Sequence, residues 1–175
     1  MDKEEHLDSS QISGTFHHIE SFYSAHVEDR PVDIWLPDGY EKNKDQQYSV
    51  MYLHDGQMMF DQPTSPFNKG VLMKLYSLYA KLRYGTGFFW DVDKTVARLM
   101  EEGSIDPIIL VSVYNLPKVK RRAEYMPQKM ITEQIATEFL HKESDIRKED
   151  ITSDKYLRFL VDELKPYVDH NYRTK

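Results

Sequence analysis

No cysteine occurs among the 175 residues of this chain. That excludes a disulfide framework, a thiolate metal site and a cysteine nucleophile together, and it leaves the redox compartment open. Long apolar runs are also missing: no stretch approaches the roughly 18 consecutive apolar residues a membrane helix needs. The opening Met1-Asp2-Lys3-Glu4-Glu5-His6 is too acidic for a signal peptide, so residues 1–13 read as a polar leader and the chain as cytoplasmic, with no membrane partner. Positive charge is not in excess either. The net charge is -6, and phosphate backbones are bound by clustered Lys and Arg, so nucleic acid is not an expected partner. Glycine is scarce as well. The seven glycines, Gly14, Gly39, Gly56, Gly70, Gly85, Gly87 and Gly103, include no pair that brackets a serine as Gly-x-Ser-x-Gly. That motif is the strained strand-to-helix turn that lifts a serine nucleophile out of a sheet, and a serine inside a strand does not replace it. Metal-ligand spacings are absent too. There is no His-Glu-x-x-His and no EF-hand pattern, and adjacent His17 and His18 would face opposite sides of a strand. No metal and no cofactor is expected.

What is present is an ordinary globular composition. At 40% hydrophobic and 13% aromatic residues, the chain can bury a core without staples. No internal repeat or low-complexity segment interrupts it. Residues 15–24 carry aromatic and β-branched side chains in loose alternation. Residues 30–36 alternate Val32, Ile34 and Leu36 against Asp33 and Trp35. Both predict strands, and Pro37-Asp38-Gly39-Tyr40 predicts a turn. A third strand, Tyr48-Ser49-Val50-Met51-Tyr52-Leu53, runs directly into His54-Asp55-Gly56-Gln57. An apolar run that ends in Asp-Gly delivers polar groups and backbone amides to one edge of a sheet, where α/β folds place their chemistry.

A helix is predicted over residues 91–102, capped by Asp91 or Asp93, with Val92, Val96, Leu99 and Met100 as its apolar stripe and Gly103 after its end. Ile108-Ile109-Leu110-Val111-Ser112-Val113-Tyr114 is too continuously apolar for a half-exposed strand, so it reads as central and parallel. A last helix follows Thr152-Ser153-Asp154, with Leu157, Leu160, Val161, Leu164 and Val168 on one face and Pro166 kinking or ending it. Two more segments, residues 71–82 and 131–140, have apolar residues at helical spacing. Each reads either as a helix packed on its own domain or as a lid over a pocket. The order of elements is that of an open α/β sheet.

Five segments in order resemble one family. They are Val32-Asp33-Ile34-Trp35-Leu36-Pro37-Asp38-Gly39-Tyr40; Tyr52-Leu53-His54-Asp55-Gly56-Gln57 with Phe60-Asp61; Trp90-Asp91-Val92-Asp93; Arg121-Arg122-Ala123-Glu124-Tyr125-Met126-Pro127; and Tyr156-Leu157 through Leu164-Lys165-Pro166-Tyr167-Val168-Asp169 into Asn171-Tyr172-Arg173-Thr174. Together they are similar to the putative esterase family of α/β-hydrolases, which includes feruloyl, acetyl-xylan and siderophore esterases. The resemblance implies an α/β-hydrolase-type open sheet, mostly parallel, with residues 14–175 as the N-terminal part of one domain, ahead of the nucleophile-elbow strand. It implies a serine carboxylic-ester hydrolase acting on an acylated carbohydrate or similar small ester. The other reading is a truncated or split hydrolase, catalytically inactive, that serves as a binding or interaction domain.

The resemblance assigns no nucleophile, acid or base to any residue present. It makes the turn after the third strand the oxyanion-hole loop, with the donor amide from Gly56, Gln57 or Met58. It places His54, Asp55, Arg121, Arg122 and Tyr125 where they contact substrate. The plainer reading of His54 is a strand-end histidine bonded to Asp55 or Asp61, and that of residues 118–127 is a local ion pair, an arginine to Glu124 or to an acidic residue nearby. Residues 70–89 exceed what the family requires and read as a cap insertion between glycine hinges. An absent elbow strand leaves the third strand with an open edge, so self-association or a complementing segment is expected there.

Overall fold

The computed structural model describes residues 14–60, 89–135 and 146–175, together with positions 75, 78, 79 and 82. Four strands, β1 (Thr15–Phe22), β2 (Arg30–Leu36), β3 (Ser49–Leu53) and β4 (Ile108–Val113), form one sheet in the order β1-β2-β4-β3. β3 and β4 run parallel, Ser49 opposite Ile108 and Leu53 opposite Ser112. β1 and β2 are neighbours joined by residues 23–29 alone, too short a link for a parallel crossover. The sheet is therefore mixed, with β3 and β4 as its parallel part.

Burial of the strands runs parallel to their position in the sheet. β4 lies between two neighbours and is buried at every residue, as its apolar run, interrupted by Ser112 alone, predicts. β2 is also interior, and here the alternation read from its sequence is misleading: Asp33 and Trp35 are buried along with Val32, Ile34 and Leu36. Asp33 is accommodated by His18 of β1, whose Nδ1 lies 2.5 Å from its carboxylate. β3 closes the sheet, and its side chains are only half-buried or exposed.

Helix α1 (Val92–Glu101) follows β3 in the chain and packs Val92, Val96, Ala97 and Met100 on a core of Trp35, Met59, Phe60, Ile108 and Leu110. Its end matches expectation. Gly103 adopts φ +68, the Gly103 amide reaches Met100 O and the Ser104 amide reaches Leu99 O, which together form a Schellman motif. Its start differs from expectation. Asp91 precedes the helix in a left-handed conformation without a side-chain cap bond, and it pairs with Lys94. Asp93 is buried inside the first turn.

The described residues group into two compact units. One holds the residues up to His18, Asp33–Val113 and Thr174–Lys175; the other holds Ile19–Val32 and Tyr114–Arg173. The second unit contains α2 (Val119–Tyr125), a helical turn at Glu133–Ile135, and a long helical run. That run comprises α3 (Ser153–Arg158), a π-helical stretch Phe159–Leu164 and α4 (Lys165–Asn171). Pro166 does not end it. A proline ring collides with the carbonyl four residues earlier, and the wider π turn just before Pro166 lets the helix continue. The extra residue also rotates the buried face. Tyr156 and Phe159 are buried up to its start and Leu164 and Val168 from its end onward, whereas Leu157 and Val161, expected inside, are exposed.

The proposed cap at residues 70–89 lies largely outside the described residues. Leu75, Leu78, Tyr79 and Leu82 are helical there, with exposed side chains. Of the segment 131–140, only positions up to 135 are described.

Candidate functional site

The sharpest local geometry lies where β3 ends. Asp55 takes φ 57 and ψ 42, a left-handed conformation that Asp tolerates better than most residues. Gly56–Met58 then form one 3-10 turn. Position 56 has to be glycine, because a Cβ there would meet Ser112 Oγ at 2.6 Å, the carbonyl carbon of Val113 at 2.7 Å and that of Ser112 at 2.9 Å. The turn backbone is thus pressed directly onto β4.

Hydrogen bonds fix the turn from two sides. The Met58 amide donates to Asp55 O at 2.9 Å and the Met59 amide to Gly56 O at 3.1 Å. From β4, the Ser112 hydroxyl donates to the same Gly56 carbonyl at 3.0 Å. From the chain leading into α1, the Trp90 amide donates to Met58 O and the Val92 amide to Met59 O. The Trp90-Asp91-Val92-Asp93 segment therefore splints the turn. Of the three candidate amides, that of Met58 is committed within the turn. The Gln57 amide belongs to the planar trans peptide whose carbonyl points at β4, so its N–H points the opposite way, away from Ser112. His54 is exposed and Asp55 half-buried.

Two buried polar residues of this unit were not singled out in the sequence as site residues. Ser112 reads there as core, and its bond to the turn comes from a strand register that no local pattern reveals. Asp93 is buried, and among the described residues its Oδ1 has no hydrogen-bond partner. Burial holds its pKa above the ordinary carboxylate value, against the lowering effect of the Lys94 backbone amide and ammonium.

The loop residues Arg121, Arg122 and Tyr125 belong to the other unit, on α2. Both arginines are exposed, and Arg121 stacks on Tyr125 with its guanidinium 5.1 Å from the ring centre. The ion pair foreseen for Glu124 forms with a different arginine. Arg30 donates to both carboxylate oxygens of Glu124, at 2.8 and 2.6 Å, and its guanidinium lies 5.2 Å from the rings of Tyr156 and Phe159. A cleft of about 800 Å³ in this unit is lined by Lys120, Ala123 and Glu124 of α2, with His26, Glu28 and Lys155, and not by Arg121, Arg122 or Tyr125. Among the described residues, no three His, Asp or Glu side chains form a group able to hold a metal ion. No helix among them is long and apolar enough to cross a membrane.

Comparison with known proteins gives one family match and several structural ones. The family model described as putative esterase matches residues 24–175. A ferulic acid esterase from Anaeromyces mucronatus, solved in complex with ferulic acid, superposes with TM-score 0.50 at 18% identity, covering 99% of this chain and 47% of that one. The BES protein from Bacillus cereus superposes with TM-score 0.50 at 14% identity, covering 99% and 51%. An IroE-like serine hydrolase from Shewanella oneidensis gives TM-score 0.49 at 18% identity, covering 92% and 39%. The chain thus spans about half the length of the structures it matches. No curated protein sequence matches it.

Proposed function

Because the chain belongs to the putative esterase family, we propose that it forms the oxyanion-binding part of a serine carboxylic-ester hydrolase acting on an acylated carbohydrate or a similar small ester. One observation carries this reading. The Gly56–Gln57 peptide is held so that its carbonyl faces β4 and its N–H faces the opposite side, at the end of a parallel strand. An ester carbonyl attacked by a serine becomes a tetrahedral oxyanion, and a donor aimed in advance at that oxygen stabilises it by about 3 kcal/mol. Gln57 is the donor in this reading. Gly56 supplies the close approach to β4, and Met58 closes the turn. His54 and Asp55 border the substrate in this reading. The nucleophile, acid and base come from residues outside this sequence, which has no Gly-x-Ser-x-Gly.

A second reading is favoured by the same missing motif together with the edge position of β3. In it the chain is a split or inactive hydrolase that binds a partner, a second copy or a complementing segment, along β3.

Expression of the intact reading frame that contains these residues separates the two readings. The hydrolase reading expects turnover of p-nitrophenyl acetate. Gln57→Pro, which removes the N–H, should lower kcat by about 100- to 1000-fold, while Gln57→Ala, which keeps it, should change kcat little. An intact reading frame without turnover supports the binding reading, and turnover indifferent to Gln57→Pro removes Gln57 from its role.

A further inference from the structure

Ser112 is the point at which β4 reaches the turn. Its backbone lies in register with Leu53, the last residue of β3, while its hydroxyl spans the His54–Asp55 step to reach Gly56 O. The residue is 0% exposed, on a strand whose other members, Ile108, Ile109, Leu110, Val111 and Val113, are all apolar. A hydroxyl buried there loses its hydration, and only a hydrogen bond offsets that loss. The bond it makes is not local strand chemistry, since its acceptor is 56 residues away in sequence.

Two donors converge on the Gly56 carbonyl, the Ser112 hydroxyl and the Met59 amide. Together they set the direction of the C=O, and the planar peptide carries that direction to the N–H of Gln57. The missing Cβ at position 56 permits the approach, since a side chain there would lie 2.6 Å from Ser112 Oγ. A donor keeps its effect on a reacting atom only within roughly 10–20° of its productive direction. Orientation of this one peptide therefore matters more than the stability of the turn as a whole.

We propose that Ser112 is a positioning residue that aims the Gln57 N–H by holding the Gly56 carbonyl against β4. Its catalytic purpose rests on the oxyanion reading given above, whereas the aiming is a property of the turn and is measured without an ester. Amide resonances and hydrogen exchange of Gln57 and Met59 are recorded by NMR in the 15N-labelled chain, in Ser112→Ala and in Ser112→Thr. Loss of the hydroxyl should move the Gln57 resonance and speed Met59 exchange by about fivefold or more, the equivalent of one lost neutral hydrogen bond. Ile109 and Leu110 should keep their protection, and Ser112→Thr, which restores the hydroxyl, should return both signals toward those of the original chain. If Ser112→Ala does not fold, Ser112→Cys, which keeps the size with a weaker donor, is read in the same way.

An unmoved Gln57 resonance with a smaller change at Met59 overturns the proposal. So does an equal loss of protection at Ile109 and Leu110, which would mark Ser112 as ordinary core. Either result leaves the hydrolase reading untouched, and an intact reading frame that hydrolyses no ester leaves the Ser112 result standing.

Discussion

Arg30 is 1% exposed, and its guanidinium is met by the Glu124 carboxylate, the Glu28 carbonyl and the rings of Tyr156 and Phe159. Removing one member of a buried bidentate pair strands the other charge without water, at a cost of about 3–5 kcal/mol. Arg30→Ala or Glu124→Ala should therefore lower the midpoint of urea unfolding by a large step. Replacing both with apolar residues of similar volume should recover most of the loss, because the desolvation penalty of both ions disappears together. Asp93 behaves in the opposite sense. Burial raises its pKa in the folded chain, so the folded state holds its proton to higher pH than the unfolded state does. Stability from this group is highest below the ordinary carboxylate pKa and falls as pH rises through the window up to the raised value. Asp93→Asn should remove that fall and stabilise the chain at neutral pH by on the order of 1 kcal/mol. Urea titrations of both proteins across pH 3–8 check this, and parallel stability curves would contradict it.

At the scale of elements, two glycines separate conformational strain from steric contact. Gly103 has a left-handed φ, and a Cβ added there would meet nothing within 4 Å, so Gly103→Ala should cost only the strain of that φ, about 1–2 kcal/mol. Gly56→Ala should cost more, because its new Cβ meets backbone of Ser112 and Val113 that cannot swing aside. Thermal unfolding of the two variants tests the ranking. The elements themselves were largely legible in the sequence: the apolar run of β4, the stripe of α1 with its terminal glycine, and the polar turn after β3 each follow from local pattern. Elsewhere a long-range cause overrode local pattern. The alternation in β2 hides burial on both faces, Asp33 and Trp35 included, and the π turn before Pro166 rotates the helix so that Leu157 and Val161 face outward. The Asp-Gly turn was readable, but the roles of Ser112 beside it and of Arg30 in the other unit were not. Their partners lie 56 and 94 residues away in sequence.

For the whole molecule, the edge of the sheet sets the expectation. β3 is the last strand in the order, Met51 on it is 45% exposed, and Ser49–Leu53 carries none of the charges or prolines that blunt an edge. Its approach is paired: Tyr48 forms a parallel bridge with Thr174, and the Lys175 amide reaches Tyr48 O at 2.9 Å. Light scattering on the purified chain should report a dimer or larger species, and Met51→Lys should shift it toward monomer. A monomer at all concentrations would contradict the open-edge account.

The central claim is that these residues build the oxyanion side of a serine ester hydrolase and contain no nucleophile. Its most direct test is the reaction of the purified 175-residue chain with p-nitrophenyl acetate, followed by labelling with a serine-directed fluorophosphonate. The account predicts release of p-nitrophenol at the buffer rate, with no burst and no labelled serine. A saturable burst, with the probe found on a serine of this chain, would contradict it.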